Sequence, residues 1–333
     1  MLPKVTIIIT CYNYARYVEY AIRSVIAQTY SNIECVIVDD CSTDDSYKIA
    51  CSIVDGLNDP KFRTIRLGQN SGQMKAFRAG LENSDGRFVV FLDADDALDP
   101  SFVEKHIAVH LNSARGAAMT ASNTRTVDDG GQVLEGTFFA FGHITPGEPP
   151  LMDIPHIAML QMPAFSPMEA FAVKYRQPAR RGWPYSATSS FMFRRDILAM
   201  IVSEQTDTIR ICADYYLVQL SSAIGGTLLI YDVLGDYRVH KSNNFIGSVV
   251  TGAWRRPRVA QSSSLMQAID HQADRFVAKN RDALAAILPD DFFPAFETPS
   301  LVKRRLETIW DNLPRWFQKL IMPLADFIDA RVK

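Results

Sequence analysis

The chain contains 333 residues, of which 47% are hydrophobic and 22% charged, an ordinary composition for a globular protein. Its formal net charge of −2 gives no electrostatic basis for binding nucleic acid. Five cysteines without zinc-site spacing predict free thiols in a reducing compartment rather than a disulfide framework. The N-terminus lacks a signal-peptide pattern, and no window approaches the ~20 apolar residues of a membrane span. We therefore expect a cytoplasmic protein.

The first hundred residues alternate between predicted strands and predicted helices. Apolar, β-branched runs predict strands over 5–10, 33–38, 62–67 and 88–92. Between them, helical spacing and helix-start residues predict helices over 18–26, from about 42 onward, and over 72–81. Strands that alternate with helices in this way predict a parallel sheet with right-handed crossovers.

Carboxylates follow two of these strands at the point where each strand ends. The second strand runs into Asp39-Asp40, and the fourth runs into Asp93-Ala94-Asp95-Asp96. Thr10 and Tyr12 follow the first strand, so all of these residues are expected along one edge of the sheet. Ligands of open α/β sheets bind at that edge, and crowded carboxylates repel each other unless a cation lies between them. A hard divalent metal with a phosphate-bearing ligand is therefore expected there.

After residue 112 the alternating pattern changes. Segments 117–127 and 132–139 are predicted to be extended around a hairpin-type turn. A stretch rich in proline, methionine and aromatic residues at about 142–183 is predicted to be a long excursion from the sheet. The chain then re-enters the sheet over 184–195.

The remaining sequence predicts one more strand among several helices. A helix is predicted from Asp196, a second over 210–220 that carries Asp214, and a strand over 227–231. From Ala253 onward the pattern is helical. We therefore divide the chain at 1–112, 113–250 and 251–333.

Five segments resemble, in order and spacing, the motifs of the family 2 inverting glycosyltransferases, which have the GT-A fold. They are VTIIITCYN (5–13), SVIAQTY (24–30), ECVIVDDCSTD (34–44), NSGQ (70–73) and GRFVVFLDADD (86–96). The resemblance implies an α/β fold with a Rossmann-like, mostly parallel sheet flanked by helices, followed by a C-terminal helical extension. It also implies that 1–112 is the nucleotide-sugar-binding half and 113–250 the acceptor-binding half of the same domain.

The same resemblance implies roles for individual residues. Asp214 would be the catalytic base of a single, inverting displacement, and Asp95, Asp93 and His240 would lie at a Mn²⁺ or Mg²⁺ ion. The residues implied to bind the nucleotide sugar are Thr10, Tyr12, Asn13, Asp39, Lys75, Asp93 and Ala94. The chain departs from the family pattern at Ala213, where the family usually has Glu, and at Arg78, where it more often has Asn.

The resemblance further implies a nucleoside-diphosphate sugar as donor, with a UDP-sugar favoured. The implied acceptor is a hydroxyl of a glycan or of a lipid-linked sugar, in surface polysaccharide biosynthesis. Two alternatives stay open: a transferase for a polyprenyl phosphate or a protein, and a catalytically silent nucleotide-sugar-binding subunit. The glutamate missing before Asp214 is the observation behind the second. The sequence lacks the glycine motifs of dinucleotide oxidoreductases and P-loop ATPases.

One apolar helical face is predicted near the C-terminus. It consists of Phe317, Leu320, Ile321, Leu324, Phe327 and Ile328. Flanking basic residues fit peripheral contact with the inner face of the plasma membrane. The same face also fits docking on the enzyme or on a second copy of the chain, as in a homo-oligomer, and docking is the commoner outcome.

Overall fold

The structure is a computed structural model that describes residues 2–113, 116–135, 158–160, 171–176, 185–240, 243, 259–288 and 293. Residues 1–288 belong to one compact unit, and 289–333 to a second. The predicted apolar face over 317–328 and most of the predicted excursion over 142–183 lie outside the described residues. Among the helices that the structure describes, none combines the length and apolar character needed to cross a bilayer.

The described part of the chain forms eleven strands and eight α-helices. The strands are β1 Val5–Cys11, β2 Ile33–Asp39, β3 Phe62–Arg66, β4 Phe88–Asp93, β5 Ala97–Leu98, β6 Met119–Val127, β7 Val133–Glu135, β8 Ala158–Leu160, β9 Phe171–Arg176, β10 Phe191–Arg194 and β11 Thr227–Arg238. The helices are α1 Val18–Ile26, α2 Ser46–Leu57, α3 Gln73–Glu82, α4 Phe102–Asn112, α5 Arg195–Ile201, α6 Ala213–Gly225, α7 Val259–Lys279 and α8 Arg281–Ala285.

The first four long strands form the parallel half of the sheet, in the order β3-β2-β1-β4. Every residue of β2 is buried, as expected when helices cover both faces of a parallel sheet. On one face, Gly80 of α3 lies so close to Ile8 that a Cβ on Gly80 would be 2.4 Å from the Ile8 side chain. Phe77 of α3 stacks on Phe91 of β4 with ring centroids 4.0 Å apart. The predicted α/β architecture is confirmed in this half.

The other half of the sheet is mixed. β10 lies between β4 and β6 and is antiparallel to both, and β11 runs parallel to β6. The predicted hairpin is present, because β6 pairs antiparallel with β7 across the turn at 128–131. Two short strands, β8 and β9, pair with each other inside the predicted excursion, and β9 joins β11. The sheet therefore continues into a stretch for which the sequence predicts no regular element.

Among the element boundaries that differ from those expected from the sequence, two concern α6 and β11. Helix α6 begins at Ala213 rather than Arg210, because Cys212 before it has a left-handed backbone with φ 58°. Strand β11 continues to Arg238, where its later residues pair with β5 and β6 after two register shifts. Both differences lie beside the residues predicted to be functional. The division of function between 1–112 and 113–250 stays a prediction.

Candidate functional site

The sheet register brings the predicted strand-end residues to one edge. Thr10 of β1 lies opposite Asp93 of β4, and Cys11 lies opposite Asp39 of β2. Ala94, which is buried, donates its backbone N–H to the carbonyl of Thr10 at 3.2 Å. The carboxyl ends of three adjacent parallel strands therefore present their polar residues side by side.

Asp39 is a buried carboxylate with one oxygen left without a partner. Its Oδ2 accepts a hydrogen bond from the Ser42 amide at 2.9 Å and lies 3.4 Å from Nε of Arg66. Its Oδ1 is buried and has no hydrogen-bond partner among the residues that the structure describes. Buried polar atoms are rarely left unpaired in proteins, so this oxygen is suited to accept a hydrogen bond from a ligand N–H.

The loops that follow β1 and β2 support each other. Asn13 has a left-handed backbone with φ 61°, and its Oδ1 accepts from the Thr43 amide at 2.8 Å. Asp40 accepts from the backbone amides of Ser71 at 2.6 Å and Gly72 at 2.7 Å. Asn13 and Asp40 therefore brace the loops around the strand edge, whereas Tyr12 is 41% exposed and free to meet a ligand from solvent.

A cluster of carboxyl groups surrounds the end of β4. Burial, followed by the charges of Asp95 and Asp214, raises the pKa of Asp93 to about 8, against the effect of hydrogen bonds from Thr188 and Gln73. The pKa of Asp96 is also raised well above its usual range, by burial and then by Asp95 and Asp93. Carboxyl groups gathered in this way resist full ionisation, and a nearby positive charge would relieve that repulsion.

Aromatic rings and one arginine hold Asp95 and His240 together. Nε2 of His240 lies 2.9 Å from Oδ2 of Asp95, and both side chains are nearly inaccessible to solvent. The His240 ring stacks on Tyr17 at 4.8 Å and meets Tyr14 edge-on at 5.9 Å. Arg238 donates its Nε–H to the Asp95 carbonyl at 2.9 Å. The loop after β11 is thereby fixed against the acidic loop after β4.

Asp214 lies in the first turn of α6, next to the carboxyl cluster. The Thr188 hydroxyl donates to its Oδ2 at 3.1 Å, and Thr188 also lies close enough to Asp93 to lower the pKa of that carboxyl. Burial raises the pKa of Asp214, which strengthens it as a base once it is ionised. Asp93 and Asp214 therefore share a hydroxyl neighbour, although 120 residues separate them in the chain.

Two residues of α3 differ in how they relate to this site. Arg78 donates to both carboxylate oxygens of Asp207, at 2.9 and 2.7 Å, so its guanidinium is engaged away from the strand edge. The ammonium of Lys75 makes no hydrogen bond or ion pair with the described residues, and its predicted role in nucleotide binding stays a prediction.

The acidic side chains could supply some, but not all, of the ligands of a hard divalent cation. Asp93 and Asp95 offer carboxylate oxygens, which are the ligands that Mg²⁺ and Mn²⁺ prefer. Their mutual repulsion also favours a cation between them. Within the described ranges, however, no group of three His, Cys, Asp or Glu side chains is arranged to hold a metal ion. The predicted metal ligands, Asp95, Asp93 and His240, stay a prediction.

Sequence reasoning missed three residues that contact the carboxyl cluster. Gln73 and Thr188 lie close enough to Asp93 to lower the pKa of its carboxyl, and Ser189 donates its hydroxyl to Asp96 at 2.7 Å. Gln73 belongs to the segment NSGQ, and the two hydroxyls belong to the run Ser186-Ala187-Thr188-Ser189-Ser190. A run of small polar residues directly before a predicted strand was the signal that could have indicated a buried polar site.

Comparison with known proteins identifies relatives along most of the chain. The model of the family described as Glycosyl transferase family 2 matches residues 6–167, a range that includes Asp39, Asp93 and Asp95 but not Asp214 or His240. An uncharacterized glycosyltransferase of Nostoc sp. is 30% identical over 250 residues, which are 74% of this chain and 67% of the relative. The succinoglycan biosynthesis protein ExoO of Rhizobium meliloti is 29% identical over 249 residues, 75% of this chain and 64% of ExoO.

The fold also matches solved structures. The crystal structure of S. aureus TarS residues 1–349 in complex with UDP superposes with a TM-score of 0.55 at 16% identity, covering 98% of this chain and 80% of TarS. At that identity the likeness concerns the fold alone. The chain spans about two thirds of the length of its Nostoc and Rhizobium relatives, and 49% of a putative teichuronic acid biosynthesis glycosyltransferase, TuaG of Bacillus subtilis, to which it is 36% identical over 126 residues.

Proposed function

Because the chain belongs to glycosyl transferase family 2 and has the GT-A fold, we propose that it moves a sugar from a nucleoside-diphosphate sugar to a hydroxyl acceptor with inversion at the anomeric carbon. The observation that carries this proposal is the position of Asp214 beside Asp93: the Asp214 carboxyl accepts from the Thr188 hydroxyl at 3.1 Å, and its charge helps to raise the pKa of Asp93. A single displacement requires the catalytic base, here Asp214, to lie next to the site of the leaving diphosphate, which is proposed to be beside Asp93.

The first proposed role concerns recognition of the donor's nucleobase by Asp39. The free Oδ1 of Asp39 accepts a ring N–H, which uracil, thymine and guanine present and cytosine does not. Thr10 at the end of β1 and the following residues Tyr12 and Asn13 are proposed to bind the ribose side of the donor, with Lys75 and Ala94 as further donor-binding residues. TarS has been solved with UDP and with UDP-GlcNAc, which favours a UDP-sugar for this chain too.

Transfer itself is assigned to Asp214. Its carboxylate takes the proton of the acceptor hydroxyl as that oxygen bonds to the anomeric carbon, while the bond from the anomeric carbon to the diphosphate oxygen breaks and its electron pair leaves with the diphosphate. A divalent cation held by Asp93 and Asp95, with His240 supporting Asp95, would neutralise the charge that gathers on the leaving diphosphate. Ala213 replaces the usual glutamate without removing the base.

The acceptor is proposed to be a growing surface polysaccharide, free or lipid-linked. Support comes from relatives whose names place them in such pathways: ExoO in succinoglycan biosynthesis and TuaG in teichuronic acid biosynthesis. The proposed location is the cytoplasm, and the C-terminal extension is the proposed contact with the inner face of the plasma membrane or with a second copy.

A thermal-shift screen tests the proposed donor site. UDP-, GDP-, dTDP- and CMP-sugars are added to the purified chain with Mn²⁺ or with EDTA. A ligand at a hundred times its Kd should stabilise the folded state by about 2.7 kcal/mol. We expect a Mn²⁺-dependent shift with UDP-sugars and none with CMP-sugars, whose cytosine offers an acceptor to Asp39.

Two variants sharpen that screen. Asp39→Asn should lower UDP affinity at least about tenfold, because the amide NH₂ would face the base N–H once the amide oxygen serves Ser42. Asp45→Asn changes an exposed carboxyl on the same loop and should leave UDP affinity unchanged. The absence of a shift with every nucleotide, or equal affinity in both variants, would contradict the proposed donor site.

A further inference from the structure

The side chain of Gln73 connects the start of α3 to the start of α6. Its Oε1 accepts the backbone N–H of Ala213 at 2.9 Å. Ala213 is the residue directly before Asp214. The side-chain amide of Gln73 therefore contacts the peptide that carries the proposed base.

The backbone of Gln73 is itself anchored to the segment that leads into α6. Its N–H donates to the carbonyl of Arg210 at 2.9 Å. Gly72 has a backbone φ of +91°, and a Cβ there would lie only 2.6 Å from Cα of Arg210. Asp40 holds Gly72 from the other side by accepting its amide at 2.7 Å. Backbone contacts therefore fix the start of α3 independently of the Gln73 side chain.

The N-terminus of helix α6 has no capping hydrogen bond from the side chain of its N-cap residue. The N-cap residue, Cys212, has a left-handed backbone, and its side chain makes no hydrogen bond to the amides of the first turn. The first amides of an α-helix need acceptors from outside the helix. The side-chain Oε1 of Gln73, a residue 140 positions earlier in the chain, is the acceptor for one of them, the N–H of Ala213.

We propose that Gln73 is a positioning residue that fixes Asp214 relative to the strand edge, to which Asp40 anchors the start of α3, and so aligns the proposed base with the sugar diphosphate. The inference rests on the proposed function. Displacement of a reacting group by about 1 Å can cost roughly a hundredfold in rate without weakening substrate binding. Loss of Gln73 should therefore lower kcat and leave the donor KM and the UDP Kd nearly unchanged.

Arg78 provides a matched control on the same helix. It ties α3 to the segment before α6 through both oxygens of Asp207, at 2.9 and 2.7 Å, but has no hydrogen bond with Asp93 or Ala213. Arg78→Met therefore loosens a comparable connection between α3 and the segment that leads into α6. If Gln73 were only a structural tie, Gln73→Met and Arg78→Met would affect activity alike.

The experiment combines two measurements on the full chain. The first is hydrogen–deuterium exchange of peptides that cover 210–217. The second is release of UDP from UDP-N-acetylglucosamine with Mn²⁺, as kcat and KM, together with the Kd of UDP. The variants are Gln73→Met, which removes the side-chain hydrogen bond to Ala213, Gln73→Glu, which keeps an acceptor for that N–H, and Arg78→Met.

We expect Gln73→Met to speed exchange in the first turn of α6 about tenfold, as loss of one hydrogen bond implies, and to lower kcat about 10- to 100-fold with KM within about twofold. Gln73→Glu, which keeps the acceptor for Ala213, should keep slow exchange, and Arg78→Met should keep kcat within about threefold. Unchanged exchange in Gln73→Met overturns the inference whatever the turnover. Fast exchange in Gln73→Glu, or an equal loss of kcat in Arg78→Met, also overturns it. A wild-type chain that binds and turns over no nucleotide sugar refutes the proposed function instead, while the exchange result still decides the contact.

Discussion

Glu34 should contribute a large, pH-dependent share of the stability of the sheet. It lies on β2, is only 3% exposed, and accepts hydrogen bonds from Thr6 at 2.8 Å, the Asp85 amide at 2.9 Å and Arg63 at 2.7 Å. Lys4 lies 3.3 Å away. Burial alone would raise the pKa of this carboxyl, but these partners outweigh burial and lower it to about 2.

The magnitude follows from the pKa. A fall from 4.5 to about 2 corresponds to about 3 kcal/mol of folding free energy at neutral pH, at about 1.4 kcal/mol per pKa unit. Because the pKa is depressed in the folded state, this stabilisation is fully present above pH 4.5 and declines as the pH falls toward 2. We expect Glu34→Gln to cost about 2–3 kcal/mol at pH 7, since glutamine keeps an acceptor oxygen but loses the charge.

Urea unfolding at pH 7, 5, 4 and 3.5 checks both the size and the pH dependence. The free-energy difference between wild type and Glu34→Gln should shrink by roughly a quarter at pH 4 and by about 40% at pH 3.5. Glu19→Gln is the control, because Glu19 is an exposed partner of Arg23 on α1 and should cost less than about 0.5 kcal/mol. A difference that stays constant down to pH 3.5, or a cost no larger than that of the control, would refute the reasoning.

Three further predictions concern the site and its support. Asp95→Ala should abolish the Mn²⁺-dependent part of the UDP thermal shift, and an undiminished Mn²⁺ effect would reject the proposed metal role. Asp214→Asn should keep the wild-type Kd for UDP but lower transfer at least about a thousandfold, because the amide cannot take the acceptor proton; weaker UDP binding would point to a different role. Gly72→Ala should destabilise the fold by about 2–4 kcal/mol in urea unfolding, given its φ of +91° and its approach to Arg210, whereas Gly56→Ala, which has open space in α2, should be neutral or stabilising by up to about 1 kcal/mol.

The parallel half of the fold could be predicted from the sequence because each element there has a clear period. Strands β1, β2 and β4 consist mostly of apolar residues, and their observed bounds differ from the expected ones by about one residue. The strand-end rule then placed Asp39 and Asp93 at one edge, as the register confirms. The local pattern of hydrophobic residues was sufficient to predict these strands, because each strand and the helix after it repeat the same packing of apolar residues.

The contacts across the site could not be predicted in the same way. Gln73 and Thr188 are ordinary polar residues in their local sequence, and only the tertiary arrangement brings them to Asp93. The left-handed Cys212 is a backbone state that favours glycine or asparagine, so nothing in its identity marks the start of α6. The order of β10 between β4 and β6 depends on four residues, too few to carry a topological signal.

The late insertion of β10 has a consequence for synthesis of the protein. β4 is a central strand of the finished sheet, but until Phe191–Arg194 emerge from the ribosome it is an apolar edge strand, with Asp93 at its exposed end. At about 5–20 residues per second, roughly 100 residues of further translation keep that edge open for about 5–20 s. An unprotected apolar edge is where chains pair wrongly, so fragments that stop before β10 should be prone to aggregate. The docking of β10 therefore covers this edge and also brings Ser189, just before it, to the backbone N–H of Asp93 and the carboxyl of Asp96.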